Sequence, residues 1–287
     1  MFLIMKCKNR WLDYYIPLRW TFATRYINII NIINIISFFI IDAFPSFYVV
    51  AMFSDGNVVK MLHWFIAFIT MFCFYECGYI FNEAVCVRFE ENPTIRIPEP
   101  FFSRILHHVE NLITIRLVAG TLGSWFLLSL YPENMKVYIN FVLLLLLVYT
   151  VHNFYRGIIN IITMPLEVFL KYMIPISVFI KAEQLWQAAV IVVLVILLVR
   201  TIEYVSKKRF VSWIRVTKNV DVFRIKYYMA INVVFGLLAY IKIVPIAACG
   251  LALFFMLYRI ASYVAIQRLQ SVNNVINNGR KMHGTDK

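Results

Sequence analysis

"GYIFNEAVCVRFEENPTIR", Gly78 to Arg96, decides how this chain reads. It closes an apolar run long enough to cross a bilayer, and it closes it in carboxylates and arginines. Glu76, Glu83 and Glu90 are spaced seven residues apart, nearly two helical turns, so a helix would bring the three to one face with Asn82 beside them. Three acids in register repel one another and call for a cation. Hard divalent ions such as Mg2+ prefer carboxylate and amide oxygens, often with a phosphorylated substrate completing the shell. The expectation is Mg2+ on Asn82, Glu83 and Glu90, carrying a diphosphate.

The surrounding chain sets the scene for that site. Its 287 residues are 62% hydrophobic and 15% charged, with mean hydropathy +0.75. A soluble domain of this length does not carry so much apolar surface. The reading is an all-α polytopic membrane protein, a bundle of about eight transmembrane helices or one more. Their approximate limits are 27–53, 61–86, 112–131, 136–154, 157–180, 185–206, 224–242 and 244–266. Pro45 predicts a kink in the first span, and Pro165 with Pro175 predicts a broken or bent fifth. Residues 1–270 read as a single transmembrane domain and 271–287 as a flexible tail. The start of the chain is no signal peptide, because its charges follow the short apolar piece.

The formal net charge is +13. No soluble basic domain supports a nucleic-acid partner, so the charge is read as topology. Lys and Arg crowd alternate loops, while the others hold Lys60, Lys136, Lys181 and Lys242. The positive-inside rule then places both termini and the two long polar loops, 87–111 and 207–223, in the cytoplasm. Each long loop follows the second helix of a four-span half, the pattern of a parallel duplication, and together they predict a cap over a membrane cavity. The cysteines Cys7, Cys73, Cys77, Cys86 and Cys249 avoid the outer loops, so free thiols are expected. Asn28, Asn31 and Asn34 trace one face suited to interhelical hydrogen bonds.

Charges within spans are costly and face the bundle interior. Besides Glu76 and Glu83 these are Arg116, Glu167, Lys171, Arg200 and Glu203, with His152, Asn153 and Arg156 at the end of the fourth span. Structural ion pairs are one reading of them; a phosphate-binding cavity is the other.

At "NEAVCVRFEENPTIR" the sequence resembles the UbiA superfamily of intramembrane transferases. That family's first motif is N-D-x-x-D-x-x-x-D at the cytoplasmic end of the second helix. Asn82, Glu83 and Glu90 match its Asn, first Asp and third Asp, and Cys86 stands in the second acidic slot. The Asp-rich second motif of the prenyltransferases is missing. In its place "EYVSKKRF" carries Tyr204 and Lys208 as Y-x-x-x-K, similar to the branch that transfers 5-phosphoribose to decaprenyl phosphate. "NPTIR", with Pro93 and Arg96, resembles that branch's His-Pro-x-Lys-Arg segment, though it is shorter and lacks the His and one base. The family usually has nine helices.

The resemblance implies transfer of 5-phosphoribose from phosphoribosyl diphosphate to a polyprenyl phosphate, with Mg2+ on the first motif. It implies that Arg96, Lys207 and Lys208 hold phosphate oxygens and that Tyr204 orients the ribose or a phosphate. Glu76, Arg88, Arg116, His152, Asn153 and Arg156 are the remaining candidates for substrate binding. The setting implied is cell-envelope synthesis at a bacterial inner membrane, with the site cytoplasmic. Two alternatives stay open: a UbiA-type prenyltransferase using a prenyl diphosphate, and a transporter or flippase for a lipid-linked sugar. The first lacks its second acidic motif here, and the second lacks an inverted repeat.

Overall fold

In a bilayer every backbone N–H and C=O must find a partner inside its own segment, and a chain this apolar does so by coiling into helices. A computed structural model describes residues 11–25, 31–54, 56–89, 96–97, 99–155, 157–206 and 219–283, and among them no strand occurs. Seven helices are long and apolar enough to cross a membrane: Ile35–Phe53, Val58–Phe89, Val109–Leu130, Pro132–Phe154, Ala182–Ser206, Val220–Tyr240 and Ala247–Arg268. The chain is a polytopic helical membrane protein. Seven of the eight expected spans reappear within several residues of their expected limits.

The chain packs as two compact units, Met1–Val192 and Val193–Lys287. Their boundary falls inside the sixth span, at the π-helical turn Val193–Leu197, and not between two four-helix halves.

In the first unit the order is α1 (Arg19–Arg25), α2 (Asn31–Phe38), α3 (Phe44–Phe53), α4 (Val58–Ala84), α5 (Glu99–His107), α6 (Val109–Leu130), α7 (Met135–Phe154), α8 (Asn160–Ser177) and α9 (Leu185–Val192). A short 3-10 turn, Trp11–Tyr15, precedes α1. Helix α4 is the hub and packs against α1, α3, α5, α6, α7 and α8. Close approach is possible because its neighbours present small residues. A side chain at Gly123 of α6 would meet Thr70 Oγ1 at 2.2 Å, and one at Gly78 of α4 would meet the Tyr149 ring of α7 at 2.3 Å.

Helix α8 is the expected fifth span. Its composition keeps it out of the seven, since Glu167, Lys171 and two prolines interrupt the apolar run. Its contacts lay it along the whole of α7. At one end Thr163 Oγ1 lies 2.8 Å from His152 Nδ1 near the close of α7. At the other, Asn134 beside the start of α7 donates to Val178 O at 2.9 Å, and Lys60 near the start of α4 donates to Phe179 O at 3.3 Å. Helix α8 therefore runs antiparallel to α7 for its whole length, and its last carbonyls are capped by an amide and an ammonium. Both Pro165 and Pro175 are accommodated within this one helix, so the expected break is not there. Burial among α3, α4, α7 and α9 is what tolerates its charges.

The expected irregularity in the first span is real and lies one turn before Pro45. Proline lacks an N–H and crowds the carbonyl four residues back. Here the chain widens into a π-helix, Phe39–Ala43, between α2 and α3. The carbonyl four residues before Pro45 is that of Ile41, and it accepts a hydrogen bond from Tyr172 of α8 at 2.8 Å. In the same widened turn Asp42 pairs with Lys171 at 2.5 Å, and the ammonium lies over the rings of Phe72 and Tyr75 at 5.2 Å each. The residues Asn28, Asn31 and Asn34 lie outside those whose side chains are described.

The second unit holds α10 (Leu198–Ser206), α11 (Val220–Tyr240) and α12 (Ala247–His283). Asn219 caps α11 by accepting from Val222 N at 3.2 Å. Tyr228 of α11 stacks on Phe255 of α12 at 5.5 Å, and its hydroxyl donates to Val195 O at 2.9 Å.

The proline-released carbonyl generates the first test. Tyr172→Phe removes its donor and strands Ile41 O in an apolar surround, which should cost about 1–2 kcal/mol. Thermal unfolding in detergent should show a lowered midpoint, with α8 otherwise intact. An unchanged midpoint would show that Ile41 O finds another donor.

Candidate functional site

The carboxylates of α4 were read as awaiting a metal. The structure gives each described one a cation from the chain itself. Glu76 and Arg116 of α6 form an ion pair at 2.8 Å with both side chains fully buried. The remaining Glu76 lone pairs accept from Leu18 N at 3.1 Å, Thr21 N at 2.8 Å and Thr21 Oγ1 at 2.9 Å. The remaining Arg116 donors reach Tyr14 O, Tyr15 O and Ile16 O at 2.8, 2.5 and 2.8 Å. The pair thus clamps the segment that leads into α1 onto the bundle. Glu76 and Arg116, expected to touch substrate, are engaged with each other and with backbone, and neither is exposed.

Two turns on, buried Glu83 accepts from Trp20 Nε1 at 2.9 Å and from Arg96 Nη1 at 3.2 Å. Trp20 is itself buried in a small core with Tyr14, Ile80, Ile97, Ile105 and Leu112. That core draws α1, α5 and the residues just before α5 onto the end of α4. The α-helix stops at Ala84 and a 3-10 turn, Cys86–Phe89, follows. Glu76 and Glu83 share one face of α4, and the regular α-helix ends before position 90. Glu90 itself lies outside the described residues, as do Arg156, Lys207 and Lys208.

Both Glu83 oxygens are thus occupied. Among the described residues no group of three or more His, Cys, Asp or Glu is placed to hold a metal ion. Asn82 and Glu83 are the described part of the expected Mg2+ site, and its third residue, Glu90, lies outside the described residues. Cys73 and Cys77 are buried free thiols, with Cys77 Sγ donating to Cys73 O at 3.2 Å, as expected for core.

The other polar groups of this end come from α7 and α8. Helix α7 closes with His152 and Asn153, and the Asn153 amide donates to Gly78 O of α4 at 3.2 Å. Helix α8 opens with Asn160, Thr163 and Glu167, spaced to share one face. His152 Nδ1 bridges the two helices, 2.8 Å from Thr163 Oγ1 and 3.2 Å from Glu167 Oε1. Asn153 Oδ1 and Asn160 Oδ1 are buried without a hydrogen-bond partner among the described residues, and Glu167 Oε1 has the His152 ring beside it. Buried acceptors left unmatched cost free energy that a hydrogen-bond-donating ligand recovers.

The structure thus brings Asn82, Glu83, Arg88 and Arg96 to the end of α4, with His152 and Asn153 at the adjoining end of α7. Arg88 and Arg96 are exposed there. Tyr204 lies on α10 of the second unit. Sequence reasoning left Glu167 open between an ion pair and a cavity residue, and passed over Asn160 and Thr163. Their three- and four-residue spacing was the available signal.

The clamp carries its own test. Breaking a buried ion pair by deleting one partner costs about 3–5 kcal/mol. Arg116→Gln should lower the thermal midpoint and speed proteolysis between Tyr15 and Arg25. Wild-type cleavage rates in that variant would refute the clamp.

Compared with known proteins, the chain matches no protein-family model, no curated protein and no solved structure.

Proposed function

We propose that this chain is an intramembrane transferase that moves 5-phosphoribose from phosphoribosyl diphosphate to a polyprenyl phosphate. The observation that carries the reading is the pair of unmatched buried acceptors Asn153 Oδ1, at the end of α7, and Asn160 Oδ1, at the start of α8. Buried acceptors seek hydroxyl donors. A ribose has them, and a prenyl chain has none, so these oxygens favour the sugar donor over a prenyl diphosphate. The motif resemblance, N-E-x-x-C-x-x-x-E with Y-x-x-x-K, supports the same branch.

The chemistry asks little of the protein beyond placement and charge. An oxygen of the acceptor phosphate attacks C1 of the ribose, and the bond from C1 to the diphosphate oxygen breaks. The electron pair leaves with the diphosphate. The acceptor is already an anion, so no proton need be removed. Arg88 and Arg96 are the described cations at this end that can offset charge on the departing diphosphate. Glu83 fixes Arg96, and Trp20 fixes Glu83. Magnesium enters this reading with the diphosphate donor, as part of the substrate. The UbiA-like arrangement, a cytoplasmic cap and a bacterial inner-membrane setting belong to the same proposal; the Lys/Arg alternation between loops supports a cytoplasmic site.

Purified protein in detergent, given phosphoribosyl diphosphate, Mg2+ and a polyprenyl phosphate, should release diphosphate and label the lipid. Asn160→Leu removes one acceptor for a ribose hydroxyl and should lower kcat/KM about ten-fold, equivalent to about 1.4 kcal/mol. Turnover of geranylgeranyl diphosphate with indifference to phosphoribosyl diphosphate would replace this reading by a prenyltransferase. Transport of a lipid-linked sugar with neither turnover would replace it by a flippase.

A further inference from the structure

Helix α8 carries Glu167 and Lys171 through the bundle, and the chain treats the two differently. Lys171 is paired with Asp42 at 2.5 Å. Glu167 is buried and meets no Lys or Arg among the described residues. Its ion-pair partner there is the His152 ring, with Nδ1 3.2 Å from Oε1. That ring is a cation only when both of its nitrogens carry protons. Thr163 assigns the first of those protons. Its hydroxyl donates to Ile159 O at 3.2 Å, so its oxygen accepts from His152 Nδ1–H at 2.8 Å. A neutral ring in this tautomer leaves an ionised Glu167 uncompensated.

The helices packed on α8 are α3, α4, α7 and α9, and among the described residues they bring no further cation to the pair. Helix α4 faces Glu167 with Tyr75, and α7 faces it with Tyr149. Tyr79 stands against both of those rings. Phenols stay uncharged up to about pH 10. Helix α3 offers Tyr48, and α9 no titratable side chain. On α4, Glu76 and Glu83 hold Arg116 and Arg96, while Lys60 and His63 serve the opposite end, on Phe179 O and Tyr131. Lys136 opens α7, about 24 Å along the axis from His152. With Asp42 and Lys171 cancelling, an ionised Glu167 beside a neutral ring would leave one negative charge in excess within the bundle, a costly state there. One added proton removes it.

We propose that Glu167 and His152 form a proton-binding site, in which the resting protein holds Glu167 as a neutral carboxylic acid and exchanges its proton through His152. His152 is the more accessible member, its side chain 17% exposed against 7% for Glu167. The pair lies among the groups that carry the transferase reading: Asn153 follows His152, and Asn160 precedes Thr163 by about one turn of α8. With the proton bound, the pair adds no net charge beside those amide oxygens. With the proton lost, a buried negative charge stands there and opposes an anionic ligand. That last consequence rests on the transferase reading, and the proton site itself does not.

The test uses the full-length protein in detergent and the apolar reagent dicyclohexylcarbodiimide. A carboxyl oxygen adds to the carbodiimide carbon while the carboxyl proton moves to its nitrogen, so a protonated acid reacts and an ion-paired carboxylate does not. At pH 7 Glu167 should be labelled at least about ten-fold faster than Asp42, Glu76 or Glu83, each held by Lys or Arg, and its labelling should fall at alkaline pH. A second readout needs no reagent. Above about pH 6.5 the unfolded chain has an ionised Glu167 and a neutral His152, while the folded pair keeps one more proton. Stability therefore falls as pH rises, by up to about ten-fold in the unfolding equilibrium per pH unit. Glu167→Gln has no such proton to lose, and its thermal midpoint should fall less steeply. Labelling of Glu167 no faster than that of the paired carboxylates, or equal pH slopes in the two proteins, would overturn the proton site. With phosphoribosyl diphosphate and Mg2+, KM should rise about ten-fold from neutral to alkaline pH with kcat little changed. Turnover with a flat KM would overturn the coupling to substrate. The expected labelling and slopes without any turnover would keep the proton site and remove the transferase reading.

Discussion

The buried pair between Glu76 and Arg116 is the constraint from which the first unit is organised. An isolated charge in hydrocarbon is not tolerated, and a pair is tolerated only when its other lone pairs and protons are also met. The segment from Tyr14 to Thr21 meets them, with three carbonyls on Arg116 and two N–H groups and a hydroxyl on Glu76. The polar segment before α1 is thereby bound to the centre of an apolar bundle. Trp20 is carried into place by the same docking, and Trp20 is what fixes Glu83 from one side. Positioning at the candidate site thus descends from an ion pair about two turns deeper in α4.

Helix α4 can serve as the hub because its contacts trade side-chain volume for proximity. The small residues Gly123 and Gly78 let α6 and α7 approach closely enough for Arg116 to reach Glu76 and for Asn153 to reach Gly78 O. The π-helical turn works differently. It exposes Ile41 O and directs Asp42 toward α8, and both groups find partners there, Tyr172 and Lys171. A proline in a membrane helix is thus compensated by the neighbouring helix, and the compensation ties α3 to α8.

Much of this was legible in the sequence because hydropathy and length decide membrane spans directly. The seven apolar helices and the irregularity near Pro45 needed no tertiary information. Helix α8 was legible by length although its charges lower its apolarity. The partners of the charges were not legible. The seven-residue spacing of Glu76 and Glu83 correctly put them on one face, but spacing says nothing of what packs there. Arg116 follows Glu76 by forty residues and Arg96 follows Glu83 by thirteen, separations no local pattern encodes. The repulsion argument assumed an external cation because it counted only one helix. The end of α4 at Ala84 was equally hidden, since "AVCVRF" continues the helical pattern.

Membrane-buried polar groups in this protein fall into two kinds, and the difference is physical. Glu76, Arg116, Asp42 and Lys171 have their charges matched by the chain, in geometry that would be disturbed by any ligand. Trp64, Asn153, Asn160 and Arg259 each retain at least one buried polar atom that the described chain does not match. Selection for stability alone would remove such atoms, because an apolar residue of similar size would pack without the penalty. Saturated groups are therefore read as architecture, and unsaturated ones as positions held open for something that arrives from outside. The amide oxygens of Asn153 and Asn160 in the first unit are acceptors of this second kind. A hydroxyl-bearing ligand would complete these acceptors.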